Sequence, residues 1–187
     1  MTTGPVPPGA EPEAYDRLRR RVLWSMPSGL YVLGARAGER RNLMTLNWAT
    51  QVALEPKLVA VSVERTARTH ALVAESRVFT LSLPARADRT VVRRFVKPVS
   101  EIDVDEEGNG TMQGEAVRAS RRGVPVLAGA AAWLECELAD QLEAGSHTLF
   151  VGEVVDCGFG PADAPAPAAG ERLEVLRMED TRMNYGG

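Results

Sequence analysis

The sequence predicts a mainly β fold, a closed antiparallel barrel with short helices at its periphery. Three observations predict it. About seven segments with strand character outnumber about three short helical ones. The strands follow one another mainly through turns rather than through long helical crossovers. Two long alternating runs, "AAAWLECELADQLEA" and "HTLFVGEVVDC", meet at a turn on Gly145-Ser146, which is hairpin chemistry.

The elements follow in chain order. Residues 1–11 are rich in Pro and Gly and predict a disordered N-terminal tail; residues 12–187 predict one domain. "EAYDRLRRRVLWSM" predicts a helix, with Tyr15, Leu18 and Val22 on one stripe and Pro27 stopping it. Its Arg17, Arg19, Arg20 and Arg21 suit a solvated face or a phosphate or partner patch, the solvated face being the commoner outcome. "GLYVLGA" predicts a strand and "RAGERR" a hairpin turn. The next strand alternates, Met44, Leu46 and Trp48 on one side and Thr45, Asn47 and Gln51 on the other. "KLVAVSV" predicts a buried strand, "ARTHALVAES" a short helix, "RVFTLSL" a strand ended by Pro84, and "DRTVVRRFV" another short helix. "KPVSEIDVDEEGNG" has no periodicity and predicts a loop. "GPADAPAPAAG" predicts a surface linker and "ERLEVLRM" a last strand.

Composition narrows the function classes. The 187 residues carry a formal net charge of -3, with no basic stripe interleaved with aromatics, so nucleic acid is not an expected partner. No apolar run reaches the roughly 20 residues of a membrane span, and the N-terminus has no signal-peptide pattern, so a cytoplasmic protein with no membrane partner is expected. Cys136 and Cys157 lack metal or redox spacing and predict buried, reduced thiols. With two histidines and no Cys/His pairing, no metal site is expected. Hydrolase, nucleotide-triphosphatase and dinucleotide fingerprints are absent.

What remains is a scattered polar set, Thr45, Asn47, Ser62, Glu64, Arg65, Thr66, Thr69, Ser82 and His147. Taken by spacing alone, it suits a solvated surface as well as a site. "SVERTARTHAL" gathers hydroxyls and arginines at a helix start, where free N–H groups and the helix dipole favour an anion. A plain N-cap by Thr66 is the simpler alternative there.

In order along the chain, "PSGLYVLGA", "NLMTLNWATQVALEPKLVAVSVERTARTHALVAESRVFTLSL" and "GSHTLFVGEVVDC" resemble the flavin reductase-like proteins. The likeness covers about residues 25–157 and implies an antiparallel FMN-binding split β-barrel. It also implies a homodimer with flavin in a groove near the subunit interface. By position, Met44, Thr45, Leu46 and Asn47 would line the isoalloxazine, and Ser62, Val63 and Glu64 would continue that wall. Arg65, Thr66 and Thr69 would lie near the phosphate, and Ser82 and Leu83 would approach from the next strand. His147 matches the family's Gly-Asp-His position and is the expected catalytic residue. Ser146 replaces that Asp, and Ser82 stands where many members have Asn.

An uncharged wall of hydroxyls and amide suits the isoalloxazine edge, which offers one N–H donor and several acceptors. The expected function is NAD(P)H-dependent flavin reduction. NADH or NADPH would give hydride to FMN, or to FAD, and the reduced flavin would supply a monooxygenase component. A non-catalytic flavin-binding redox carrier or sensor is the alternative.

Overall fold

A computed structural model describes residues 4–161 and 165–183. Helix α1 (Pro12–Trp24) starts where Glu11 caps it, its carboxylate accepting from the N–H groups of Glu13 and Ala14. Pro12 sits at the first helical position, where its missing N–H costs nothing. No residue of α1 is buried, and Leu18, Val22 and Trp24 are exposed. Arg17 pairs with Glu13, and Arg19 and Arg20 pair with Asp16, so the arginine cluster is largely a solvated, self-paired face.

Among the described residues eleven strands follow. They are β1 (Tyr31–Ala37), β2 (Arg40–Leu46), β3 (Ala49–Ala53), β4 (Leu58–Glu64), β5 (Val78–Leu83) and β6 (Ile102–Val104). The rest are β7 (Gly110–Met112), β8 (Glu115–Ala119), β9 (Pro125–Leu127), β10 (Ala132–Ala144) and β11 (His147–Phe159). Helix α2 (Arg68–Ser76) lies between β4 and β5. The large sheet runs β2-β1-β5-β10-β11-β4-β3 and the small one β6-β7-β8-β9, antiparallel throughout.

The two edges of the large sheet, β2 and β3, are consecutive in the chain and separated only by Asn47 and Trp48. That short link forces the sheet to curl until its edges share a corner. Among the described residues no ladder joins β2 to β3, so the sheet is curled and open where a closed barrel was expected.

The curl has two apolar sides. Inside, Leu33, Val61, Val63, Phe79 and Phe150 pack with Leu72 and Val73 of α2. Outside, Val32, Leu43, Val92, Phe95, Leu127 and Leu176 pack beneath the small sheet. Strand β1 therefore buries both faces, which is why it reads as a nearly continuous apolar run. Strand β9 crosses the large sheet on two hydrogen bonds, Thr80 Oγ1 to the Pro125 carbonyl (2.6 Å) and the Leu127 N–H to Ser82 Oγ (3.1 Å). Gly34 has no side chain because a Cβ there would collide with the Pro125 carbonyl and Thr80.

Several expectations change. The segment 88–96 forms only a 3-10 turn at Val91–Phe95. The predicted loop after it contains β6 and the start of β7, strands too short for alternation to show. "ERLEVLRM" makes two isolated bridges, Ala85 to Val175 and Gly29 to Arg177, rather than a strand. Cys136 is buried, its thiol pushed up to about 12 by burial first and by the neighbouring Glu135, but Cys157 is exposed. Part of the predicted tail (1–3), part of the linker (162–164) and the chain from 184 onward lie outside the described residues.

Candidate functional site

The site begins at the corner between β2 and β3. Alternation predicts Trp48 on the side of Met44 and Leu46, but β2 ends at Leu46 and the chain turns. Leu46 is buried in the inner core and Met44 packs against it, whereas Trp48 is 42% exposed. Its carbonyl accepts the Ser62 N–H at 2.9 Å, which pins the corner to β4. Thr45 is buried, and its hydroxyl donates to the Val92 carbonyl. Asn47 is buried at the same corner.

Strand β4 carries Ser62 and Glu64 to its end with Val63 buried between them. The chain then turns through Arg65, Thr66 and Ala67 into α2. Ala67 is the N-cap and has no side-chain oxygen, so the first turn of α2 has no side-chain cap. Thr66 lies one residue too early and does not act as the N-cap expected of it. Arg68 extends its guanidinium to the Val99 carbonyl at 3.2 Å. Thr69 is buried and accepts from Asn42 Nδ2 at 2.8 Å, while Asn42 Oδ1 accepts the Val99 N–H at 2.9 Å. One buried amide thus ties β2, α2 and the segment after the 3-10 turn.

The hairpin of β10 and β11 brings the last members. His147 pairs in register with Glu64, and the Arg65 N–H donates to the Ser146 carbonyl at 3.0 Å. Ser146 Oγ and His147 Nδ1 lie 2.8 Å apart, so a hydroxyl orients the ring where the family pattern has a carboxylate. Trp48 meets the imidazole edge to face, with centroids 4.9 Å apart. Arg65 pairs with Glu143 at 3.3 Å. Behind them, His70 Nε2 contacts Thr148 Oγ1 at 2.8 Å; burial first, and then the Arg65 charge, holds His70 below its ordinary value.

The structure therefore sorts the predicted residues. Ser62, Glu64 and His147 share one face of the β4–β11 ladder, and Arg65 and Thr66 lie in the turn that leads from the end of β4 into α2. Thr45, Thr69 and Ser82 use their hydroxyls in buried internal bonds, and Leu46 and Val63 belong to the inner core. Leu83 lies elsewhere, lining a cavity of about 350 Å³ with Tyr31, Leu58, Leu81, Leu134 and Val154, at the opposite ends of β4 and β11. The walls of that cavity are mostly apolar and carry none of the polar residues of that face and turn. Among the described residues no group of three or more His, Cys, Asp or Glu side chains is placed to hold a metal.

Sequence reasoning missed Asn42, Trp48 and Glu143 as members of this neighbourhood. Asn42 gave a usable signal, an uncharged amide directly before the apolar Leu43-Met44 pair of β2. Glu143 gave none, because it meets Arg65 only through the hairpin register.

The donor set fits a phosphorylated flavin. Uncapped N–H groups beside Arg65, Arg68 and Thr66 suit a phosphate, and the Trp48–His147 pair next to Ser62 suits a flat heteroaromatic ring.

Comparison with known proteins agrees with this chemistry. The family described as flavin reductase like domain matches residues 23–174. The chain is 32% identical over 157 residues to the NADH-dependent FAD reductase of Streptomyces globisporus, covering 83% of this chain and 84% of that one. It is 31% identical over 149 residues to the NADH-dependent flavin reductase StyB of Pseudomonas fluorescens, covering 79% and 81%. The solved structure of the styrene monooxygenase flavin reductase from Pseudomonas putida S12 superimposes with a TM-score of 0.61 at 30% identity, covering 76% of this chain and 87% of that one.

Proposed function

Belonging as it does to the flavin reductase-like family, this chain is an oxidoreductase, and we propose that it passes hydride from a reduced nicotinamide nucleotide to FMN or FAD. The observation that carries the site assignment is that Ser62, Glu64 and His147 share one face of the β4–β11 ladder beside the Arg65-Thr66 turn and the uncapped start of α2. NADH is the donor named for the two relatives above, and we take it as the donor here. The reduced flavin would serve a partner monooxygenase; the Pseudomonas putida relative is the flavin reductase of a styrene monooxygenase. The curled, open sheet with its shared corner supports a split barrel, and the resemblance supports a homodimer. A cytoplasmic setting, where reduced nicotinamide is regenerated, goes with this reading.

When bound, the flavin supplies the redox chemistry, accepting hydride and holding the electron pair until an acceptor takes it. Arg65, Arg68, Thr66 and the first N–H groups of α2 would hold the phosphate. Ser62 would offer its hydroxyl to the ring edge. His147, turned by Ser146, would face the ring with Nε2 and position the nicotinamide rather than attack anything. Trp48 would exclude water from that side of the imidazole. No general base is required, since hydride leaves the nicotinamide directly and solvent can supply the accompanying proton.

The test is an anaerobic absorbance titration of the purified protein with FMN or FAD present. Bleaching of the flavin band on NADH addition, with turnover when air is admitted, is expected. A bound flavin that neither NADH nor NADPH bleaches would replace the enzyme with a redox carrier or sensor.

A further inference from the structure

We propose that Glu143 is an internal counter-ion that competes with the flavin phosphate for Arg65, and so sets how strongly the site prefers phosphorylated flavin over riboflavin. This rests on the reading of Arg65 as a phosphate ligand.

Arg65 is the first residue after β4, and its guanidinium lies 3.3 Å from the Glu143 carboxylate. The contact is built into the fold. Glu143 pairs with Thr148 in the ladder, two residues before Gly145, whose φ of +61° closes the hairpin. The Arg65 N–H bonds to the Ser146 carbonyl in that same turn. Backbone register therefore delivers the acidic side chain to the basic one. Arg68, the other cation at the start of α2, has a neutral partner, the Val99 carbonyl. Glu64 is exposed and forms no ion pair among the described residues, so of the two carboxylates here only Glu143 neutralises Arg65. His70 lies in the field of both members, its protonation opposed by Arg65 and favoured by Glu143.

A guanidinium binds phosphate through paired charge-assisted hydrogen bonds, and one already facing a carboxylate must first give it up. Once the phosphate is seated, Glu143 is left near a second anion. Both effects weaken a ligand that carries phosphate and leave one without phosphate untouched. Arg65 is half exposed and Glu143 more so, which keeps the pair weak enough to exchange. A flavin that is handed on after reduction is suited by this moderated grip.

The experiment titrates wild type, E143Q, R65Q and the double variant with FMN and with riboflavin, reading flavin fluorescence. E143Q should tighten FMN about two- to fivefold, the range of an exposed ion pair, and leave riboflavin unchanged. R65Q should weaken FMN, and E143Q should tighten FMN less in the R65Q background than in wild type, because only the repulsion between Glu143 and the phosphate is then left to relieve. In parallel, the His70 imidazole titration by NMR should move down in E143Q and up in R65Q, which reads the pair without any ligand. If R65Q weakens FMN but E143Q changes nothing, or tightens riboflavin equally, the competition is refuted while Arg65 stays a phosphate ligand. If R65Q leaves FMN affinity intact, the phosphate reading of Arg65 falls and the proposal with it.

Discussion

Asn42 shows how one buried side chain can hold a site that it does not enter. Its amide donates to Thr69 Oγ1 and its carbonyl oxygen accepts the Val99 N–H, so three segments meet on four heavy atoms. Removing it strands a buried N–H and a buried hydroxyl, each of which costs desolvation without a partner. Asn42→Ala should lose about 2 kcal/mol of stability, read as a lower urea midpoint with an unchanged slope. A variant as stable as wild type would mean that Val99 and Thr69 find other partners. Thr45 and Ser82 teach a related lesson. Each is a polar residue on an alternating strand, and alternation alone cannot tell a hydroxyl facing a ligand from one that ties two layers together. Burial decides it, and burial depends on β9 and the 3-10 turn arriving from far along the chain.

Elements with long, regular patterns were legible. The hairpin of β10 and β11, the turn between β1 and β2, and helix α2 fall where alternation, Gly placement and helical periodicity put them. The short strands β6 and β7 were not, because three residues are too few for a period to register. Strand β9 was hidden for another reason. It is held by side chains of β5 and by the space that Gly34 leaves, and neither is a local property. Gly34→Ala is therefore expected to cost about 3 kcal/mol, the upper end for overpacking, because the small sheet must lift off β1 to admit a methyl group. Thermal unfolding of that variant at wild-type temperature would show instead that β9 is not seated so closely.

At the scale of the molecule, the chain's late residues close what its early ones open. Leu176 is fully buried in the outer core, its N–H bonded to the Pro84 carbonyl and its carbonyl to the Leu30 N–H. Arg86 then clasps Glu174 and Asp180 across the same seam. Asp180 is held below its ordinary value: burial opposes this, but the Arg177 N–H and the Arg86 guanidinium outweigh it. Leu176→Ala should destabilise the whole domain by about 3 kcal/mol, in a single cooperative urea transition. A separate early transition would show that the strap unfolds alone.

The sequence by itself determined the mainly β class, the succession of the principal strands along the chain, the family and the place of His147 directly after a hairpin turn. The family rests on the resemblance of motifs in order along the chain, and the others on local periods and turn residues, all of which a linear string preserves. Tertiary structure alone decided which polar residues are spent in buried internal bonds, as Thr45, Thr69 and Ser82 are. It also decided that Trp48 leaves the buried side of its strand, that the sheet curls open at a two-residue corner, and that Glu143 reaches Arg65. Those outcomes depend on register between strands and on layers packed from distant segments, and no local pattern in the chain encodes either.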